Sequence, residues 1–206
     1  MGLVGLLIKH RYGVYGLLTY LDLEFALSIG IVLSYNIFFP ATRNVILPRQ
    51  QFVFNLTITL VSIILVVLVL RNIPFGIGQD FYDGTIITFL QMKGRKKVFF
   101  YSYVVDVILP GIFFIFSSLI IFYLASFNTN LVWILEFLSS YLFLCNISYI
   151  ITILTKRPFR AFFLSVVIIL LFLGLEFMGI FNYPILLLSD IILLAISYYS
   201  FKGASV

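Results

Sequence analysis

Few residues in this chain have the charge or lone pairs that chemistry requires. Asp80 and Asp83 stand just ahead of Gly84 and Thr85, in the longest polar stretch of the chain. Ile86, Ile87, Phe89 and Leu90 follow, and then Met92, Lys93, Gly94, Arg95, Lys96 and Lys97. The remaining acids, Asp22, Glu24, Asp106, Glu136, Glu176 and Asp190, fall in or beside long apolar runs. There is one histidine and one cysteine, with no cluster of metal-ligating residue types. That inventory lacks a nucleophile with its base, or a ligand set, so the chain reads as non-enzymatic. Cys145 cannot form an internal disulfide and reads as a small buried hydrophobe. His10 lies between Lys9 and Arg11 and reads as facing lipid headgroups.

The acids in apolar runs constrain what surrounds them. An ionised carboxylate in hydrocarbon costs several kcal/mol, so each must face protein, water or a headgroup. Asp22 and Glu24 fall at the inner end of a first predicted span, where Lys9 or Arg11 can pair with them. Glu136 and Glu176 are placed near outer ends, at the interface. Asp106 and Asp190 lie deeper, in the third and sixth predicted spans, and define a possible polar path. Uptake of protons or cations there is the signature expected of a secondary carrier.

The elements that hold these residues are set by the composition. Of 206 residues, 63% are hydrophobic and 10% charged, and the mean hydropathy is +1.18. A soluble domain of this length cannot hide that much apolar surface, so lipid is its expected solvent. A membrane helix needs about 20 mostly apolar residues. Six segments qualify: 20–39, 52–70, 98–124, 131–154, 161–180 and 185–201. The expected fold is therefore all-α and polytopic, a single transmembrane domain. The third segment is long enough to tilt or to kink at Pro110 and Gly111. Residues 1–18 read as an interfacial helix along the inner leaflet, or else as the ragged inner end of a first span that starts earlier; their apolar start before Lys9 reverses the order of a signal peptide.

Charge orients the six spans. With both termini in the cytoplasm, that side receives Lys9, Arg11, Arg71, Lys93, Arg95, Lys96, Lys97, Lys156, Arg157, Arg160 and Lys202. The other side receives only Arg43 and Arg49. This is the positive-inside pattern of a multi-pass cell-membrane protein. The formal net charge of +5 thus reflects orientation and does not point to nucleic acid. Tyr12, Tyr15, Trp133, Tyr183, Tyr198 and Tyr199 fall near span ends, as interfacial aromatics do.

On this reading, the polar stretch lies on the cytoplasmic side between the second and third spans. Ile86, Ile87, Phe89 and Leu90 cover about 160° of a helix at 100° per residue. Thr85, Thr88 and Gln91 occupy the other side. Either aspartate can cap the N-terminus, Gly94 can end the helix in a left-handed turn, and the cations suit its negative end. The result is an amphipathic helix over 79–95 that either lies on the inner leaflet or docks into a groove on a partner.

The order of features resembles the permease subunit of ABC-2-type ATP-binding-cassette transporters. In that family acidic residues precede Gly-Thr, then an apolar pair, then a turn ending in Arg; Asp80, Asp83, Gly84, Thr85, Phe89, Leu90 and Arg95 match this run. Lys93 and Gly94 stand where the family has a proline-containing turn, and Tyr103 stands near the place of a lysine. The resemblance implies that 79–95 is a coupling helix, docking a partner through Asp80, Asp83, Gly84, Thr85, Ile86, Ile87, Phe89, Leu90, Met92 and Arg95. It also implies a second permease subunit, identical or similar, and separate P-loop ATPase subunits that carry ATP and Mg. The chain itself has no Gly-rich phosphate loop and binds no cofactor on this reading. A membrane anchor or assembly subunit of a larger complex is the further alternative.

Overall fold

The computed structural model describes residues 2–13, 63, 66–124, 131–177 and 183–205, and these are helical apart from short connections and ends. Helix α1 (Leu3–Tyr12) ends at Gly13, whose N–H donates to the Lys9 carbonyl at 2.9 Å. Lys9, His10 and Arg11 occupy its last turn, where cations complement the negative end of the helix dipole. Residues 66–72 continue into a π-helical segment, π1 (Ile73–Ile77), and then α2 (Gly78–Tyr82). After a corner at Asp83 and Gly84 the chain runs through α3 (Thr85–Tyr103), a second π segment π2 (Val104–Ile108) and α4 (Leu109–Leu124). The remaining helices are α5 (Leu131–Thr155), α6 (Pro158–Phe177) and α7 (Tyr183–Gly203).

Among the described residues three stretches are long and apolar enough to cross a membrane: Ile134–Thr155, Pro158–Leu175 and Tyr183–Gly203. They fall on the expected spans at 131–154, 161–180 and 185–201. The expected span at 98–124 lies within the run from α3 through π2 to α4. The expected span at 20–39 and most of that at 52–70 lie outside the described residues, as do Asp22 and Glu24. Side chains on α6 and α7 such as Phe163, Leu170, Leu171, Leu188 and Ile191 are exposed. Apolar surface of this extent is matched to lipid rather than water.

Helix α5 forms the centre of the bundle, packed against α6, α7 and π1. Leu144, Cys145, Tyr149 and Ile153 on one of its faces are buried, so the expectation for Cys145 holds. Phe99 on α3 is an aromatic hub. Its ring lies 5.3 Å from Tyr198, 5.5 Å from Phe201, 5.7 Å from Tyr149 and 5.9 Å from Tyr103. Such contacts add about 0.5–1.5 kcal/mol per pair beyond area burial.

The irregularity expected at Pro110 and Gly111 takes the form of π2, one turn earlier. Proline has no N–H to give the carbonyl four residues back and its ring crowds that carbonyl. Widening the preceding turn accommodates both effects. Two tyrosines then donate to carbonyls of π2: Tyr12 Oη to Val105 O and Tyr141 Oη to Val107 O, each at 2.8 Å. Gly111 lets the Tyr141 ring lie against the backbone, because a Cβ there would stand 2.6 Å from Tyr141 Cε1. The ring is fully buried and anchored by its hydroxyl, so it cannot yield. Gly111→Val is therefore expected to cost about 1–3 kcal/mol. Thermal unfolding in mild detergent would show this as a lowered Tm, and an unchanged Tm would contradict the packing.

Candidate functional site

Leu3, Leu7 and Arg11 recur every fourth residue and so share one face of α1. The two leucines are buried and the Arg11 side chain is only 7% exposed. On the segment through π1 and α2, Ile73, Ile77 and Asp80 make a similar stripe, each nearly or fully buried. Asp106 sits in π2, equally buried, one turn beyond the buried Ser102. Three helical segments thus carry one charge each into the same interior.

The guanidinium forks between the two acids. Arg11 Nη1 donates to Asp80 Oδ1 at 2.9 Å, and Nη2 donates to Asp80 Oδ2. Nε donates to Asp106 Oδ1 at 2.8 Å, with a longer contact from Nη2 to Asp106 Oδ2 at 3.4 Å. Burial alone would push the Arg11 pKa down, but the charges and acceptors of Asp106 and Asp80 hold it above its ordinary value. His10 Nε2 lies 3.2 Å from Asp80 Oδ1, and its ring meets the Phe89 ring edge-on at 6.1 Å. Gly76 makes room for the fork, because a Cβ there would stand 3.2 Å from Arg11 Nε and 3.3 Å from Asp106 Oδ1. A cavity of about 180 Å³ borders the cluster, lined by Arg11, Tyr12, Arg71, Asn72, Phe75, Gly76 and Asp106.

Several expectations change at this point. Arg11 pairs with Asp80 and Asp106, at sequence separations of 69 and 95, and Asp106 therefore has a basic partner. His10 engages Asp80 and Phe89 rather than facing headgroups alone. Tyr12 is buried and bonded to π2, not placed as an interfacial ring. Neither Asp80 nor Asp83 caps α3. Gly84 takes the N-cap position at φ 74°, with no side-chain cap, because a left-handed corner joins two helices tightly and glycine adopts it without a steric penalty. Asp80 is committed to Arg11, and Asp83 accepts from Gln79 Nε2 at 2.7 Å.

The 79–95 segment is thus two helices, the second broken at Gly94, where φ is 72° and ψ 161°. That ψ lies far from the left-handed turn expected there. Of its expected apolar face, Ile86 and Phe89 are buried and Leu90 is partly so, while Ile87 is exposed together with Met92. Thr85 is half-buried. Arg95 turns to the end of α7, its Nη1 donating to Lys202 O at 2.6 Å and Ala204 O at 2.8 Å. It caps that helix as a cation at a negative dipole end. Lys156 Nζ holds the next residue, with Ser205 O at 2.5 Å and Oγ at 2.7 Å.

Asp190, on α7, is not brought to the ion cluster. Its surroundings are Tyr103 of α3 with Cys145 and Asn146 of α5. Tyr103 Oη donates to Asn146 Oδ1 at 2.8 Å, and Asn146 Nδ2 is turned to the Asp190 main-chain carbonyl at 3.4 Å. Asp106 and Asp190 therefore belong to two separate polar centres. Among the described residues no group of histidine, cysteine and acidic side chains is arranged to hold a metal ion. Compared with protein-family models, curated proteins and solved structures, the chain matches none.

Proposed function

We propose that this chain is the permease subunit of an ATP-driven transporter of the ABC-2 type, with six spans and both ends in the cytoplasm. It works as a pair, driven by separate ATPase subunits that dock on the surface of α2 and the first half of α3. The observation that carries this reading is the Arg11 fork. One guanidinium bonds to α2 in the polar segment and to π2 in the long apolar helix run. A push on α2 and α3 is thereby transmitted to the third span through stiff, charge-assisted bonds instead of a slack loop. The charge distribution supports the orientation, and the motif run from Asp80 to Arg95 supports the family.

The packing selects the docking residues. Ile87 and Met92 present apolar surface outward, and Tyr82 is exposed nearby in sequence on α2. Docking a partner needs such free surface, whereas Ile86 and Phe89 hold the segment in place. The test is purification in mild detergent from the native host, with identification of chains that come along. A P-loop ATPase is expected with the wild type and is expected to be lost from the Ile87→Asp, Met92→Asp double variant, whose Tm stays close to the wild-type value. Retention of the ATPase by the folded double variant would count against this docking surface. Absence of any ATPase from the wild-type complex would count against the transporter reading. A carrier predicts transport without ATP, and an assembly subunit predicts a stable complex with no nucleotide-dependent transport.

A further inference from the structure

Asp190 is 6% exposed, and neither of its carboxylate oxygens has a hydrogen-bond donor among the described residues. Most polar groups around it point to other acceptors. Asn146 turns one amide N–H to the Asp190 main-chain carbonyl, its second N–H is the nearest donor to the Asp190 side chain, its Oδ1 accepts from Tyr103, and Ser197 Oγ points to Asn146 O at 3.5 Å. The titratable groups facing it are the Tyr103 hydroxyl from α3 and the Cys145 thiol from α5, and α7 contributes no cation at this level. All salt bridges among the described residues involve Asp80 or Asp106. An ionised carboxylate in this position would lie in low dielectric with no counter-charge among the described residues and at most one amide N–H to solvate it. A metal cation would need several oxygen ligands, and the oxygens of Asn146 and Tyr103 are already bonded to each other. A proton needs only the carboxylate itself.

We propose that Asp190 is a proton-binding site inside the helix bundle. Its carboxyl carries a proton in the packed bundle and releases it to water when the packing of α5 and α7 is lost on unfolding. The step forms one O–H bond on uptake and breaks it on release, with water as donor and acceptor. The inference rests on the packing of α3, α5 and α7 alone and stands whether or not an ATPase drives the protein.

The test compares the full-length protein in detergent at neutral pH with its Asp190→Asn variant, by infrared difference spectroscopy and by thermal unfolding across pH. The expected difference spectrum contains the C=O stretch of a protonated carboxylic acid, absent from the variant. The wild-type Tm is expected to fall by several degrees as pH rises from mildly acid to alkaline. The sign follows from linkage: a group that holds its proton in the folded state and loses it in the unfolded state favours folding at low pH. In the variant that fall is expected to be smaller, because the contribution of Asp190 is removed. A difference spectrum showing only ionised carboxylate bands, or equal pH profiles, would overturn the proposal. Failure of Asp190→Asn to fold would overturn it too, because asparagine is the neutral isostere of the protonated acid.

Discussion

Replacing Arg11 with methionine is expected to destabilise the protein by about 3–5 kcal/mol, the usual cost of removing one partner from a buried ion pair. Methionine fills much of the same volume, so the loss comes chiefly from charge. Asp80 and Asp106 would be left 1% exposed and facing each other without their shared guanidinium. Thermal unfolding in detergent should show Tm lower by roughly 6–20 °C, at about 2–4 °C per kcal/mol for a chain of this size. Arg11→Lys is expected to restore only part of it, because one ammonium cannot fork across two carboxylates. Adding Asp80→Asn and Asp106→Asn to Arg11→Met should recover most of the stability, since no uncompensated charge then remains. A triple variant as unstable as Arg11→Met alone would show that the arginine acts by packing, and the fork would lose its standing as the link between α2 and π2.

Phe89→Ala is expected to cost about 3–5 kcal/mol, in line with other buried phenylalanines. The ring is 3% exposed and meets His10 edge-on, so its removal opens a cavity between α1 and α3. Ile87, two residues earlier, is 44% exposed, and Ile87→Asp should change stability by no more than about 0.5 kcal/mol, as surface substitutions do. Chemical or thermal unfolding of the two variants side by side checks the pair. Equal, small effects would mean that Phe89 is free and the face expected from sequence is available to a partner. The contrast also decides how a docking experiment is read: loss of a partner from Phe89→Asp would report collapse of the α1–α3 contact, whereas loss from Ile87→Asp would report the surface itself.

Much of the helical architecture is legible before any coordinates. Runs of about 20 apolar residues leave the backbone no option but internal hydrogen bonding, and three of the described helices fall where those runs lie. The corner at Gly84 and the break at Gly94 fall at glycines, although the second differs in backbone geometry from a left-handed helix end. The ion cluster is legible only in fragments. Arg11 continues the stripe of Leu3 and Leu7, and Asp80 continues that of Ile73 and Ile77. Read alone, such a stripe would mark both charges as turned inward. The amphipathic face of 86–90 misled in the opposite direction, because an apolar helix face is equally suited to the protein's own core, to lipid or to a partner.

Periodicity and composition, then, determine the helices and which residues share a face, because those depend on residues within a few turns of one another. Which inward faces meet is a property of the packed bundle. Arg11 finds Asp80 and Asp106 across 69 and 95 residues of chain, and a charge-assisted bond exists only where atoms come within about 3 Å. The same packing that neutralises Asp106 leaves the Asp190 carboxyl without a counter-charge among the described residues. Two acids that look alike in sequence are thereby separated into a structural ion cluster and a proton site.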